Sequence, residues 1–286
     1  MNNKLESVLC PTCHHNNHTL QFLREDGIGF YICKECNIEY ASPRLKEEEL
    51  LNLYNSDSWK NPSEYLNWSY EEWNKSRGLH YYLVAENLKL VKRFLEPGSR
   101  ILDVGCDIGL TVKKLIEDHY HAEGIEISSI GSKIAKEKTK ITVHNLEIKD
   151  FKSNKLFDGV LLLDVLEHLY DPLNTLKSCA KKLRKGGYIF IHVPQHKGLS
   201  VRFKKILHKI GIKKSYKHFG FPAHIYNFDK KSLRLILNKS NFKIEHFESW
   251  PNQVTNGKVN WLNFLPVWLI KKLSLSDYII CVAKRK

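Results

Sequence analysis

The succession of apolar runs and helical segments from Arg100 onward predicts an α/β fold: a doubly wound, mostly parallel sheet, with a small cysteine-bearing unit in front of it. Three observations carry this expectation. Short strands such as ILDV (101–104) and YIFIHVP (188–194) are apolar throughout rather than alternating, as strands covered on both faces are. Helical segments separate them. At the end of the first strand a glycine turn leads straight into a helix, which places a ligand at the carboxyl ends of the strands.

Composition allows such a core. The chain has 286 residues, 42% of them hydrophobic, with 13 Phe, 13 Tyr and 6 Trp. With 27% charged residues and a mean hydropathy of −0.39, it reads as soluble rather than disordered or fibrous. No stretch approaches the roughly 18 apolar residues that span a bilayer. The opening MNNKLESVLC lacks the basic-then-apolar pattern of a secretory signal, so a cytoplasmic location is expected. The seven cysteines are then thiols or metal ligands.

The first section, 1–45, contains Cys10-Pro-Thr-Cys13 and Cys33-Lys-Glu-Cys36. Two such pairs can place four thiolates around one tetrahedral zinc, a closed and therefore structural site; unrelated free thiols are the alternative. His14, His15 and His18 are then surplus and solvated, while Cys106, Cys179 and Cys281 read as small buried residues. Section 46–98 reads as helices joined by an aromatic connection (Tyr54, Trp59, Tyr65, Trp68, Tyr70, Trp73). It opens with KEEELLNLY, acidic where a helix N-terminus prefers acid.

From 99 to 286 the chain reads as the main domain. Strands are expected at ILDV, AEGIEI, ITVHN, FDGVLLLD and YIFIHVP. Between them lie the helices GLTVKKLIEDH, SSIGSKIAKEKTK capped by Ser128, and a third from Asp171-Pro172 to Gly186. A basic amphipathic insertion, 195–228, follows. In it LSVRFKKILHKI sets Leu199, Phe203, Ile206, Leu207 and Ile210 on one helical face. The helix FDKKSLRLILNKS and the strands FKIEHFES and DYIICVAK close the fold. An apolar insertion, 250–275, carries WLNFLPVWLI, readable as a lid, an interfacial patch or core.

The most informative stretch is Ile101-Leu102-Asp103-Val104-Gly105-Cys106-Asp107-Ile108-Gly109. It is neither the dinucleotide fingerprint nor the phosphate loop. Asp103 precedes the first glycine, where it would repel a pyrophosphate and attract a cationic ligand end. Glu126, about 20 residues beyond the turn, can accept both hydroxyls of a ribose. Together they suit a nucleoside carrying positive charge and no phosphate.

ILDVGCDIG, GIEIS and FDGVLLLDVLEHLYDP, in that order and spacing, resemble the motifs of class I S-adenosylmethionine (SAM)-dependent methyltransferases, with their Rossmann-like fold. The likeness covers roughly residues 80–193, with the later helix and strand pair at 229–284. It implies that Asp103 and the turn Gly105–Cys106–Gly109 hold the methionine end, and that Glu126 holds the ribose with Ile127 beside it. It also implies that Leu146 and Glu147 border the adenine, and that Leu163, Asp164 and Val165 flank the methyl group. One departure stands out: Asp107 occupies a position that is usually glycine in that family. The stretch CKECNIEYASPRLKEEELLNLY resembles the N-terminal zinc ribbon of many bacterial methyltransferases near sugar and polysaccharide pathways.

The reaction implied is attack by a nucleophile on an activated methyl group, with a base needed for a hydroxyl acceptor. His168 and His224 are the favoured bases, with His192, His196 and Tyr226 as further candidates. In the alternative reading Glu167 and His168 only fix the loop after the fourth strand, and His192 is packed in the fifth. Net charge is +14, and thirteen Lys and Arg lie between Pro172 and Phe228 without one acid. Such a window suits an anionic partner, or is a solvated helix face. The expected function is methyl transfer to an anionic small-molecule or glycan-type acceptor, phosphorylated and lipid-linked forms included. An RNA methyltransferase and a non-catalytic adaptor are the alternatives. Nucleic acid is the less favoured partner, because LLDVLEHL has neither the Asn/Asp-Pro-Pro-aromatic signature of base-amine methylation nor a catalytic Pro-Cys pair. Peripheral contact with an acidic membrane surface competes with packing of the 199–210 helix on its own domain.

Overall fold

The computed structural model describes residues 4–24, 26–55, 79–210, 223–250, 254–255, 258–259, 269 and 275–286. Most of the aromatic connection (56–78) and most of WLNFLPVWLI lie outside the described residues. The N-terminal unit is built from β1 (Leu5–Glu6), β2 (His18–Leu23), β3 (Gly29–Cys33), β4 (Glu39–Ser42) and β5 (Arg44–Leu45). Strands β2, β3 and β4 form an antiparallel meander, and β5 pairs with β1. Helix α1 (Glu47–Tyr54) follows, with Glu47, Glu48 and Glu49 in its first turn, where they oppose the positive end of the helix dipole. Helix α2 (Leu79–Lys92) leads into the main domain.

That domain runs β6 (Arg100–Val104), α3 (Leu110–Glu117), β7 (His121–Ile125), α4 (Ser129–Ile134), β8 (Val143–His144), β9 (Phe157–Leu163), α5 (Pro172–Lys182), β10 (Leu183–Pro194) and α6 (Leu199–Lys209). It ends with β11 (Tyr226–Asn227), α7 (Lys230–Lys239), β12 (Phe242–Trp250), the small pair β13 (Val254–Thr255) and β14 (Lys258–Val259), and β15 (Tyr278–Arg285). The seven-stranded sheet has the order β12-β15-β10-β9-β6-β7-β8. Its five strands from β10 to β8 are parallel, and β15 inserts antiparallel between β10 and β12. From β6 the chain winds outward to β7 and β8, then returns to the other side for β9 and β10. This reversal opens a crevice at the carboxyl ends of β6 and β9.

The pleat explains the continuous apolar strands. Leu102, Val104, Val160 and Leu162 face one core with Leu176 and Cys179 of α5 and Leu233, Ile236 and Leu237 of α7. Ile101, Leu161 and Phe190 point the other way, against Leu88 and Val91 of α2 and Leu115 of α3. Both faces are covered, so both sets of alternate residues are apolar.

Cys10, Cys33, Cys36, Ile38 and Tyr40 of the N-terminal unit belong to the first of these cores. Strand β11 extends the ribbon sheet by pairing with β4, Tyr226 opposite Tyr40 and Asn227 opposite Glu39. The carboxylate of Glu39, fully buried, meets Lys205 of α6 at 2.6 Å and accepts from Asn227 Nδ2 at 3.2 Å. Arg44 donates to the Tyr226 hydroxyl at 2.5 Å. The N-terminal unit is thus continuous with the main domain.

Several boundaries depart from expectation. Helix α5 stops at Lys182, not Gly186, because Leu183 already pairs with Phe157 in the sheet and its side chain is buried. The helix after Ser128 is α-helical only to Ile134; a wider turn covers Ala135–Thr139, where Thr139 Oγ1 donates to the Ala135 carbonyl at 2.5 Å and competes with the helical ladder. On α6, Val201 is the residue that packs inward, whereas Phe203, Ile206 and Ile210 are exposed. His18 is not solvated: it lies edge-on to Tyr31 and Tyr40, with Nδ1 3.0 Å from the Tyr40 hydroxyl.

Breaking a buried ion pair leaves an uncompensated charge and costs about 3 kcal/mol or more. Lys205→Ala should therefore lower stability by that order in a denaturant titration. Lys149→Ala, removing a largely exposed lysine, should change it by less than about 0.5 kcal/mol.

Candidate functional site

The crevice is built on the turn after β6. Gly105 and Gly109 have φ of 77° and 81°, left-handed values that glycine reaches without strain. A side chain at Gly105 would meet Val165 Cγ2 at 2.5 Å, and one at Gly109 would collide with Ile141. Asp107, standing where the resembled family has glycine, adopts φ 47°, so the turn forms despite the substitution; Asp is among the residues that tolerate this region. The Ile125 carbonyl accepts from both Gly105 N (2.8 Å) and Cys106 N (3.0 Å), fastening the turn to β7.

Three acids crowd this turn. Burial, then Glu126 and Asp107, push the Asp103 carboxyl up to about 7. Glu126 is raised to about 7 by burial and by Asp107, and Asp107 to about 6 by burial. None of the three forms an ion pair among the described residues. Glu126 accepts from Asp107 N at 2.9 Å and Ser128 N at 2.6 Å, bridging the loops after β6 and β7. Its oxygens retain lone pairs for further donors. The Asn145 amide donates to the carbonyls of Glu126 (2.8 Å) and Ile127 (3.0 Å), which brings in the loop after β8. Ile127 is exposed there, Leu146 is partly buried against the first core, and Glu147 is 2.9 Å from Lys149.

Across the crevice, Leu163 ends β9 and packs against the second core. Asp164 follows with φ 56°, its Oδ1 2.7 Å from His192 Nδ1. The packing around Asp164 works against its charge, but His192, then His224 and His168, outweigh it and hold the carboxyl below the usual range. His192 is buried and stacked on Tyr278 at 5.0 Å. His168 and His224 meet edge to face at 4.5 Å. His168 Nδ1 lies 3.1 Å from the Ala223 carbonyl, which makes it the protonated nitrogen and leaves Nε2 with the lone pair. Burial pushes His168 down to about 4, with Asp164 opposing, so the ring is neutral near neutrality. Neither carboxylate oxygen of the fully buried Glu167 has a hydrogen-bond partner among the described residues, and burial, then Asp164, raise that carboxyl well above its normal range. One ligand atom each from Glu167, His168 and His224 lies within 4.8 Å of the others, a spacing that suits a shared cation as well as a shared proton.

The structure thus brings together His168, His224, Asp164 and His192, whereas the polar atoms of His196 and Tyr226 are engaged elsewhere. His196 Nε2 is 3.2 Å from the Asn37 carbonyl, and the Tyr226 hydroxyl takes the Arg44 donor; both serve the ribbon. Tyr54 and Asn55, at the end of α1, are contributors that motif reading missed. The Tyr54 hydroxyl is 3.1 Å from His168 Nδ1, its carbonyl accepts from Ser128 Oγ at 3.3 Å, and Asn55 Oδ1 accepts from Ser129 N at 3.2 Å. One helix end therefore touches both sides of the crevice. The aromatic content of that section was the only sign of it in the sequence.

The four ribbon cysteines also converge. All four sulfurs lie within 4.8 Å of one another, with Cys10–Cys36 and Cys13–Cys33 each at 3.4 Å. Zinc–sulfur bonds of 2.3 Å in a tetrahedron set sulfurs about 3.8 Å apart. The two knuckles match. His14 N donates to Cys10 O and Asn37 N to Cys33 O, both at 2.8 Å, and His14 and Asn37 have φ of 58° and 62°. This arrangement fits a closed zinc site.

The sequence matches the methyltransferase domain family over residues 70–247. A ubiquinone biosynthesis O-methyltransferase of Aromatoleum aromaticum is 30% identical over 100 residues, 32% of this chain and 43% of that protein. The corresponding protein of Vibrio vulnificus is 28% identical over the same length and shares. The chain therefore spans less than half the length of the curated relatives it matches. Magnesium protoporphyrin IX methyltransferase from Synechocystis PCC 6803, solved with bound SAH, aligns with a TM-score of 0.58 at 17% identity, covering 84% of this chain and 100% of that one. A possible histamine N-methyltransferase from Thermotoga maritima aligns with a TM-score of 0.52 at 19% identity, covering 80% of this chain and 99% of the other. These two likenesses concern the fold. Matched across more than half its length, the chain belongs to the methyltransferase domain family of SAM-dependent methyltransferases.

Proposed function

We propose that this protein transfers a methyl group from SAM to an oxygen of a small-molecule acceptor, with anionic and glycan-type hydroxyl compounds as the class. The observation that carries the reading is the trio Asp103, Asp107 and Glu126. Buried carboxylates without cationic partners are costly, and a ligand with an ammonium and a sulfonium supplies the missing positive charge. When bound, SAM provides a methyl group already activated for displacement. Asp103 and the Gly105–Gly109 turn would receive its amino-acid end, Glu126 its ribose, and Ile127, Leu146 and Glu147 its base.

The chain's own residues then align the acceptor, exclude water and receive a proton. His168 and His224 are the groups in place to do so. The hydrogen bonds of His168 to Ala223 and Tyr54 fix its ring, and Asp164 holds His192 alongside. The names of the matched relatives, O-methyltransferases by description, favour oxygen over nitrogen. We assign Cys10, Cys13, Cys33 and Cys36 to a structural zinc, because four cysteine sulfurs converge near the spacing of a tetrahedral zinc site.

Calorimetry with SAM should show binding to the wild type, and affinity roughly 10- to 100-fold lower for Asp103→Ala and Glu126→Ala, as loss of a charged hydrogen-bonding partner implies. No heat with the wild type would sink the reading. His168→Ala and His224→Ala should leave SAM affinity intact while lowering turnover about 100-fold in at least one of them. Undiminished turnover in both would remove the proposed bases.

A carboxyl raised in the folded state keeps a proton between about pH 4 and 7, where the unfolded chain has lost it. Its contribution to stability therefore falls as pH rises through that window. Asp107→Asn removes one like charge and keeps a residue tolerant of left-handed φ. Without ligand, its melting temperature relative to wild type should rise from about pH 5 to pH 8; a pH-independent difference would contradict the crowding. Metal analysis should find about one zinc per chain, lost together with several degrees of melting temperature in Cys36→Ser.

A further inference from the structure

The face formed by α6 and α7 has no part in the site described above, and it combines two features. The first is a basic cleft of about 720 Å3, lined by Lys197, Arg202, Lys230, Lys231, Arg234 and Lys239. Asp229 also borders it, but that carboxylate is buried, ion-paired with Lys197 and caps α7 through Ser232 N. Lysines and arginines at 230, 231, 234 and 239 lie along the exposed length of α7, so beyond the Lys197–Asp229 pair the cleft is lined by cations.

The second feature is an apolar ridge on α6. Phe203, Ile206 and Ile210 are 50%, 57% and 67% exposed. Spaced three and four residues apart, they lie on one side of the helix. Arg202 sits one turn before Ile206 and also lines the cleft, so the ridge and the cleft meet along α6. Sequence adds a constraint: no Asp or Glu occurs between Pro172 and Phe228, and nothing in that window repels an anionic surface.

We propose that this face docks on an anionic lipid bilayer, with the α6 ridge entering the headgroup region and the cationic cleft facing the lipid phosphates. A soluble polyanion would account for the cleft but leave Ile206 and Ile210, each more than half exposed, in water. An apolar partner would account for the ridge but not for six cations beside it. A bilayer carrying acidic lipid satisfies both, as amphipathic helices at membrane surfaces do. The contact does not depend on methyl transfer. If the reaction proposed above holds, docking sets the carboxyl end of β10, from which Gln195 and Lys197 lead into the cleft, toward the membrane, where a lipid-borne acceptor would lie.

The test is sedimentation of the full chain with vesicles of phosphatidylcholine containing one quarter phosphatidylglycerol, against pure phosphatidylcholine vesicles, at low and high salt. Binding to the acidic vesicles alone is expected, weakened by salt. Ile206→Ser/Ile210→Ser and Lys231→Glu/Arg234→Glu should each reduce the bound fraction several-fold, with melting temperatures near wild type showing that both remain folded. No wild-type sedimentation with acidic vesicles at low salt overturns the proposal. So does full binding by the Ile206/Ile210 variant, which would make the cleft a general polyanion site; single-stranded RNA bound equally by wild type and that variant would identify nucleic acid as its occupant. A concentration-dependent dimer in ultracentrifugation, abolished by Ile206→Ser/Ile210→Ser, would assign the ridge to a second copy of the chain and also overturn it.

Discussion

The arrangement of the crevice follows from burying three carboxylates where two parallel strands end. Asp103 at the tip of β6, Asp107 in the turn and Glu126 after β7 lie together, the first and last of them buried and Asp107 partly so. Backbone donors compensate only part of the charge: Asp107 N and Ser128 N serve Glu126, while Asp103 and Asp107 are pushed toward neutrality. The glycines are the counterpart of this arrangement in backbone geometry, since only a chain without side chains at 105 and 109 lets β6, Val165 and Ile141 approach so closely.

The opposite wall depends on a long-range device. His224 precedes Ile225, whose N donates to the Glu167 carbonyl at 2.9 Å and whose carbonyl accepts from Ala41 N at 3.0 Å. Two backbone hydrogen bonds thus link the ribbon strand β4, the segment bearing His224 and the turn bearing His168. The cysteine knuckles shape β3 and β4, so the N-terminal unit acts on the crevice through ordinary sheet geometry. Its order and that of the His168–His224 pair are mechanically connected, and Lys205, Arg44 and Asn227 reinforce the joint.

Burial without compensation also sets what the site tolerates. The Glu167 carboxylate is enclosed without a hydrogen-bonding partner among the described residues, a state that an apolar residue would avoid at less cost. Together with Asp164 and the two histidines it forms a cluster of perturbed titratable groups. Tyr54 links that cluster to the Ser128 side of the crevice, so α1 joins the two halves of the site in addition to the pairing of β6 with β9.

Local physics made much of this legible in advance. All seven main-sheet strands show in the sequence, the central ones because strands covered on both faces are apolar throughout. The caps at Ser128 and Asp171 show because a side chain three residues from its partner needs nothing distant. The cysteine pairs show because a knuckle is four residues long. The sequence by itself also determined the acid–glycine–acid order of the turn. Only the tertiary structure decided that α5 ends early, that Tyr54 reaches His168, that Glu39 finds Lys205 across 166 positions, and that the apolar face of α6 stays outward. Each of these depends on which distant surface arrives opposite a side chain, and no periodicity along the chain carries that information.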